Sequence, residues 1–338
     1  MSEPRVSIII PTMNIAAYIG DMLSDLQQQS ISDIEIICVD GGSGDGTAGI
    51  ISDHMAGDER VRLYTYKKPG VSAARNFGLT KTKGRYVIFA DGDDRVDRDY
   101  VKLLLTQIVQ PSGRYLTVKG FPRMSAQLGV CGYSAFDEEG ELYDTPESGI
   151  RVLGKEDMLC RIFYLSNYQG YLWNKIFRRD IIESCHIRFM ESAFYHEDQL
   201  FLGEYLRHID AVRMTSERPY HYRLRDDSAM GVLRSDEVLP VATIRRRMTG
   251  AAALSKLYSH LKAYPDARWL CGQNLVFAAL NIFDDMKRSG CNDRDFAASS
   301  FRRIAIRCRF IEYEPSDRYE AGLLKGLYKY GITGRIHV

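Results

Sequence analysis

The sequence has no long apolar run: stretches such as Val87–Ala90 fall far short of the ~20 consecutive apolar residues that a membrane-spanning helix needs. Its first residues, MSEPRVSIII, lack a basic region followed by an apolar segment and a small-residue cleavage site, so secretion is not expected. No Cys-x-x-Cys pair occurs, and the seven histidines never fall at the i, i+4 spacing of a helical zinc site, which argues against a structural transition metal. Seven cysteines, an odd number over 338 residues, read as thiols in a reducing, cytoplasmic setting. The G-x-x-x-x-G-K-[ST] phosphate loop is missing, as are repeats and low-complexity tracts. With 45% hydrophobic and 26% charged residues, disordered and collagen-like chains are excluded. Neither charge sign dominates the whole chain, whose net charge is +1, yet the distribution is uneven. Residues 1–230 carry 27 basic and 33 acidic groups, and residues 231–338 carry 18 and 11. A basic tail suits an anionic lipid, a phosphorylated substrate or nucleic acid, and it suits equally a solvated helical surface.

What is present is a regular alternation. Val6–Ile10, Ile34–Val39, Val61–Tyr66 and Tyr86–Ala90 are short β-branched or aromatic runs bounded by Pro, Gly, Asp or Lys, the mark of strands. Ile15, Ile19, Met22, Leu23 and Leu26 recur at helical spacing between the first two, and helices are expected over Thr47–Met55, Ser72–Thr80 and Asp97–Val109. The βαβαβαβα order predicts an α/β fold with a mostly parallel central sheet and flanking helices, with ligands outside the carboxyl ends of the strands. Those ends are Pro11–Asn14, Asp40 and Asp91. Short strands are expected at Tyr115–Lys119, Val130–Phe136, 211–215 and 219–223, and helices at Glu156–Leu165 and from Glu197 to His208. Beyond Ser235 helical patterns take over, near 236–262, 268–288, 293–309 and 316–330, so the chain divides into residues 1–230 and a helical region, 231–338.

Two acidic sets stand out at strand ends. RYVIFADGDDRVD places Asp91, Asp93 and Asp94 after a buried strand, where three carboxylates in four residues repel one another unless a positive group sits among them. Hard divalent ions take one or two carboxylates plus substrate phosphates, so a metal–diphosphate site is one reading. An acidic turn with Asp97 or Asp99 capping the next helix is the other. In IEIICVDGGSGDGT, Asp40 precedes a glycine-rich turn that lets backbone approach a ligand; its carboxylate can accept a hydrogen bond from the ring N–H of a base, with Thr12 and Asn14 flanking the same ring, or the segment is a plain strand-to-helix turn. Gly44, Gly46 and Gly49 match G-x-G-x-x-G by chance, since they begin three residues past the strand and lack an acidic residue ~20 positions on.

Four runs in register, VSIIIPTMN, VDGGSGDGT, KPGVSAARNFGL and GRYVIFADGDD, closely resemble the inverting family-2 glycosyltransferases of the GT-A fold, of the bacterial cell-surface polysaccharide type. The likeness continues through YLWNKIFRRDII, YHEDQLF and HYRLRDDS, covers roughly residues 4–230, and does not extend plainly to the last hundred. It implies that Thr12 and Asp40 contact the nucleobase, that Arg75 and Asn76 lie near the base or diphosphate, and that Asp91 and Asp93 form the motif binding Mn²⁺ or Mg²⁺ with the diphosphate. Asp91 would reach the ribose, Asp93 would be the direct ligand, and Asp94 would support the loop. Gly41 stands where the family commonly has a second aspartate, which leaves base recognition to Asp40. By the same resemblance Asp198 is the base for the acceptor hydroxyl, oriented by Glu197. Trp173 and Lys175 belong to a WNK element, in which Trp173 stacks on sugar or packs in the core and Lys175 pairs with an acid. Arg223 and Ser228 keep the spacing of a segment that closes over the diphosphate, with His221 nearby.

The expected activity is transfer of a sugar, with inversion, from a nucleotide-sugar donor, UDP-sugars first, to a saccharide hydroxyl in capsule, exopolysaccharide or O-antigen synthesis. Lipid-linked acceptors are included, and a peripheral contact with the inner face of the cell membrane goes with them; nucleic acid is not expected as a partner. For that contact, Leu323, Leu324, Leu327 and Tyr328, with Lys325 and Lys329, could form an interfacial face, or could pack internally. Two alternatives are a non-catalytic saccharide-binding protein on the same fold and a sugar-phosphate nucleotidyltransferase. PTMNIAAY lacks the glycine-rich triphosphate loop of the latter.

Overall fold

The computed structural model describes residues 4–109, 116–118, 121–124, 126–137, 140–143, 149–163, 170–225, 238–290 and 299–333. Two compact units emerge, residues 1–189 with 205–234, and residues 190–204 with 235–338. The single division expected at 230/231 therefore needs an addition, because the segment carrying Glu197 and Asp198 packs with the second unit.

In the first unit the chain runs β1 (Val6–Thr12), α1 (Ala16–Gln27), β2 (Ile34–Asp40), α2 (Thr47–Gly57), β3 (Val61–Thr65), α3 (Val71–Leu79), β4 (Tyr86–Phe89), β5 (Arg95–Val96) and α4 (Tyr100–Ile108). Short elements follow: β6 (Leu116–Val118), β7 (Phe121–Met124), β8 (Leu128–Val130), β9 (Tyr133–Asp137), β10 (Gly140–Tyr143), β11 (Ile150–Gly154), α5 (Lys155–Arg161), β12 (Lys175–Arg178) and α6 (Arg179–Ser184). α7 (Glu197–Leu206) begins in the second unit, after which β13 (Ala211–Thr215) and β14 (Tyr220–Arg223) complete the first.

The main sheet has the order β11-β13-β8-β12-β4-β1-β2-β3. β3, β2, β1 and β4 are mutually parallel, as the alternation predicts, and Thr12 lies opposite Asp40 and Ile9 opposite Phe89. β1 is flanked by both β2 and β4, so the strand order reverses beside it, the position at whose carboxyl ends α/β sheets form a ligand crevice. The apolar residues of α1 (Ile19, Met22, Leu23, Leu26) are fully buried against Ile8, Ile10 and Ile88 on one face of the sheet. On the other face Ile37, Val39 and Ala74 pack with Tyr64, Tyr66 and Phe77.

The antiparallel β12, between β4 and β8, was not visible as a strand in the sequence. The single strand expected over Val130–Phe136 is two, because the chain leaves the main sheet at Cys131 and Gly132 and enters a second sheet, β10-β9-β14-β5. Asn174 holds that corner, its amide N–H donating to Cys131 O (3.0 Å) while Cys131 N–H donates to Asn174 O (3.0 Å).

The second unit holds α8 (Val241–His260), α9 (Pro265–Arg288), α10 (Ser299–Cys308) and α11 (Arg318–Thr333). Segment 190–204 joins it because Phe194 N–H donates to Thr249 Oγ1 (3.0 Å), Glu204 meets His260, and Gly203 lies so close under Leu257 that a Cβ would come within 2.5 Å of it. Leu323, Leu324 and Leu327 are buried, so the interfacial face considered there is internal packing: the helix turns its leucines inward, and Gly326 fits against Phe283. Arg247 pairs with Asp285 (2.5 Å), and Arg307 donates to Ser255 O, Ser255 Oγ and Ser259 Oγ. Among the described residues no helix is long and apolar enough to cross a membrane, and the six described cysteines are free thiols. Burial pushes the Cys38 thiol up to about 12.

Tight packing beside β1 gives a test of this frame. A Cβ on Gly84 would sit 2.6 Å from Ser7 N and 2.8 Å from Val6 C, both backbone of β1, so Gly84→Ala is expected to cost about 1–3 kcal/mol. Gly49→Ala, at an open position in α2, is expected instead to stabilise by roughly 0.5–1 kcal/mol. Urea denaturation of the two variants against wild type measures the contrast.

Candidate active site

The crevice is built first by the loops after β1 and β2. Asp40 is buried at the end of β2, and both its carboxylate oxygens accept two hydrogen bonds: Oδ1 from Thr12 Oγ1 (3.3 Å) and Ser43 Oγ (2.6 Å), Oδ2 from Gly42 N and Ser43 N (2.9 Å each). A carboxylate offers about four lone-pair positions, so a ring N–H of a base would reach Asp40 only by displacing Thr12 or Ser43. Asn14 adopts a left-handed backbone (φ 52°), which asparagine tolerates, and ties the loops by donating its N–H to Ser43 Oγ (2.9 Å) and accepting from Gly44 N at Oδ1 (3.0 Å). Gly41 lies against Met13, whose Sδ would be 3.1 Å from a Cβ there.

The turn after β4 supplies the charged half. Gly92 lets the turn sit directly on the core, for a Cβ there would meet Ile15 Cδ1 at 2.6 Å and Ile19 Cδ1 at 3.1 Å. Asp91 and Asp93 keep partly open carboxylates, while Asp94 is fully buried. Asp94 Oδ2 accepts from the Tyr220 hydroxyl (2.5 Å), which itself accepts from Asp91 N (3.2 Å), and Asp94 Oδ1 accepts from Arg223 N (2.8 Å). Asp94 thus fastens the turn to β14. Each open carboxylate has a guanidinium beside it: Arg75 Nη2 lies 3.1 Å from Asp91 Oδ1, and Arg225 Nη2 lies 3.4 Å from Asp93 Oδ2. Arg223 Nε donates to Asp93 O (2.8 Å), and both Arg223 and Arg225 rest on the Tyr18 ring.

Burial, then the charge of Asp91, raises the Asp93 carboxyl above the ordinary carboxylate range, with Arg225 opposing; burial raises Asp94 further still. Among the described residues no group of three or more His, Cys, Asp or Glu gathers to enclose a metal ion. The donor set is therefore two hard carboxylate oxygens on one turn, which fits a Mg²⁺- or Mn²⁺-type ion completed by phosphate oxygens of a ligand and does not fit a closed structural site.

Other expected site residues are placed differently. Asn76 clasps the backbone of Phe189, donating to its O (3.0 Å) and accepting from its N (2.8 Å), so its amide braces the chain. Trp173 is only 4% exposed and lies parallel to Tyr220 (4.5 Å) and Tyr171 (4.8 Å), so it is a core ring beneath β14 and not a platform for a sugar. Lys175 is fully buried, and its Nζ donates to Tyr171 O (2.6 Å) and Asn174 Oδ1 (2.7 Å). His221 bridges Ser134 Oγ and Asp97 Oδ1. Ser228 lies outside the described residues. Sequence reasoning missed Arg225, Tyr18 and Tyr220. The signal for Arg225 was its two-residue spacing from Arg223 at the end of a strand, which sends both side chains to one face.

Glu197 and Asp198 open α7, in the second unit. Asp198 Oδ1 accepts from Gln199 N (2.7 Å), and negative charge at this position is favoured by the helix dipole. His196, just before them, is held at φ 60° and shares a hydrogen bond with Gln199 Oε1 (2.8 Å). Burial lowers its pKa below the ordinary histidine value.

Comparison with known proteins places this geometry in a class. Residues 7–119 match the family described as glycosyl transferase family 2. The chain is 34% identical over 249 residues to glycosyltransferase GlyG of Streptococcus pneumoniae, covering 68% of this chain and 74% of GlyG. It belongs to the family-2 glycosyltransferases. It also matches two Bacillus subtilis glycosyltransferases, of whose lengths it spans 62% each. Among solved structures, residues 1–349 of S. aureus TarS, crystallised with UDP-GlcNAc, share the fold (TM-score 0.60, 16% identity, 98% of this chain and 92% of that one). So does the mannosyltransferase PcManGT from Pyrobaculum calidifontis, solved with GDP-Man and Mn²⁺ (TM-score 0.53, 14% identity, 99% and 88%).

The His196 environment makes a pH prediction. A depressed folded-state pKa means that its contribution to stability is present above the unfolded value of about 6.5 and is lost as pH falls through the folded one. His196→Asn keeps a residue that accepts positive φ and removes the titration. The wild type is expected to lose more melting temperature than this variant between pH 7.5 and 5.5, measured by circular dichroism in matched buffers.

Proposed function

We propose that the protein transfers a sugar, with inversion, from a nucleotide-sugar donor to a hydroxyl of a saccharide acceptor in cell-surface polysaccharide synthesis. The observation that carries this reading is the pair Asp91 and Asp93, held open on a turn at the carboxyl end of β4 while Asp94 is buried beneath them. A UDP-sugar is the first donor to try, with GDP-sugars second, following the ligands of TarS and PcManGT. Action on a lipid-linked acceptor at the inner face of the cell membrane belongs to the same proposal.

In this mechanism Asp91 and Asp93 would hold a divalent cation, with Asp93 the direct ligand. When bound, that ion neutralises the charge that develops on the departing diphosphate. Thr12, Asn14 and the glycine-rich turn after Asp40 form the wall for the base and ribose, and Asp40 keeps that wall in shape through its four hydrogen bonds. Arg223 adds a fixed positive group beside the turn, suited by its fork geometry to phosphate oxygens. Asp198 receives the proton of the acceptor hydroxyl as that oxygen attacks the anomeric carbon, and Glu197 orients it. A single displacement against one base inverts the configuration, as in glycosidases whose acid and base flank the sugar.

Two outcomes test this. Asp198→Asn is expected to lower kcat by roughly 10²–10⁴-fold with little change in donor KM, the range for loss of a general base; NMR showing retained anomeric configuration in the wild-type product would exclude that role. Asp93→Asn is expected to abolish the extra thermal stabilisation that UDP or GDP gives in the presence of Mn²⁺, read by differential scanning fluorimetry against the same nucleotide with EDTA.

A further inference from the structure

We propose that Arg225 makes cation and donor binding interdependent: its guanidinium lies on Asp93 and, with Arg75 on Asp91, leaves the carboxylate pair tightly receptive only to a cation that arrives with a diphosphate. The inference rests on the reading above, in which Asp91 and Asp93 hold the ion.

The argument is one of charge balance. Three carboxylates occupy the turn, Asp91, Asp93 and Asp94, and three guanidinium groups surround it. Arg75 contacts Asp91 Oδ1 at 3.1 Å and is largely buried, so its charge is fixed. Arg223 is fastened by two bonds, its N–H to Asp94 and its Nε to Asp93 O, and lies over the rings of Tyr18 (5.1 Å) and Phe136 (4.6 Å). Arg225 reaches the third position of the turn: its side chain contacts Asp93 Oδ2 at 3.4 Å, and its guanidinium lies 4.8 Å from the centre of the Tyr18 ring. The Arg225 side chain is only 16% exposed, so water screens its charge poorly.

A divalent ion approaching this neighbourhood alone meets three positive groups and two partly neutralised carboxylates. A diphosphate brings negative charge and oxygen ligands, and it gives Arg223 and Arg225 acceptors of matching geometry. Asp93 is then released from Arg225 to the cation. Arg225 is thus a positioning residue, acting on the ion through Asp93 and on the donor through charge.

Titration calorimetry of the full chain with MnCl₂, alone and with saturating UDP or GDP, tests this on wild type, Arg225→Gln and Arg225→Lys. The wild type is expected to take up Mn²⁺ weakly alone and at least tenfold more tightly with nucleotide, as an order of magnitude for coupled sites. Arg225→Gln is expected to bind Mn²⁺ alone roughly threefold to tenfold more tightly, the range for loss of a partly buried charge pair, and to show a smaller gain from nucleotide. Arg225→Lys should return both towards wild type. Should the Gln variant fail to melt cooperatively, Arg225→Met, which also removes the charge, is measured in its place with the same expectation. Unchanged affinity for Mn²⁺ alone in the charge-free variant, with nucleotide binding intact, overturns the proposal and leaves the transferase reading standing. Failure of both UDP and GDP to bind the wild type with Mn²⁺ overturns both.

Discussion

Like charge packed onto one turn is the constraint around which the first unit is organised. Asp91, Asp93 and Asp94 follow a fully buried strand, so the turn cannot swing away to dilute their repulsion. Relief comes from elsewhere in the chain: Tyr220 and Arg223 on β14 bond Asp94, Arg75 on α3 meets Asp91, and Arg225 meets Asp93. Burying a carboxyl group is tolerable when it is hydrogen-bonded, and each oxygen of Asp94 has a donor, a phenol on one and a backbone N–H on the other. The small sheet that carries β14 therefore serves the turn directly. Gly92 completes the fit by allowing the turn to rest on Ile15, just before α1, and Ile19 within it.

The second half of the crevice follows a different logic. Around Asp40 there is little excess charge and many hydrogen bonds. Thr12, Ser43 and Gly42 converge on one carboxylate, while Asn14 and Asp45 knit the β1 and β2 loops together, Asp45 accepting from Ala16 N and Thr47 N. The result is a backbone surface held from below by side chains, which suits recognition by loop shape and exposed main-chain groups. The balanced charges of the β4 turn suit an ion and a diphosphate instead. One crevice thus offers two chemistries on neighbouring strand ends.

Much of the fold was legible because its signals are local. Ile19, Met22, Leu23 and Leu26 repeat at helical spacing, and the helix they announce is there; the four β-branched runs became the four parallel strands. Less legible were elements whose character comes from their neighbours. Lys175–Arg178 has a charged residue at each end, yet it forms a strand between β4 and β8 because Ile176 and Phe177 fill the space left there. Trp173 could have been a sugar platform or a core ring, and its burial between the parallel rings of Tyr171 and Tyr220 decides for the core. Leu323, Leu324 and Leu327 carry the same ambiguity in the second unit, where Phe283 against Gly326 turns their face inward.

By itself the sequence determined the order of strands and helices, the place of the acidic turn at a strand end, and membership in a glycosyltransferase family, since periodicity and short motifs are properties of neighbouring residues. Tertiary structure alone decided which carboxylates stay open, which arginines face them, that Asp40 turns its oxygens into its own loop, and that Asp198 belongs to the second unit. Those outcomes depend on contacts between residues up to 130 positions apart, as between Arg223 and Asp93, and no local pattern encodes such a pairing.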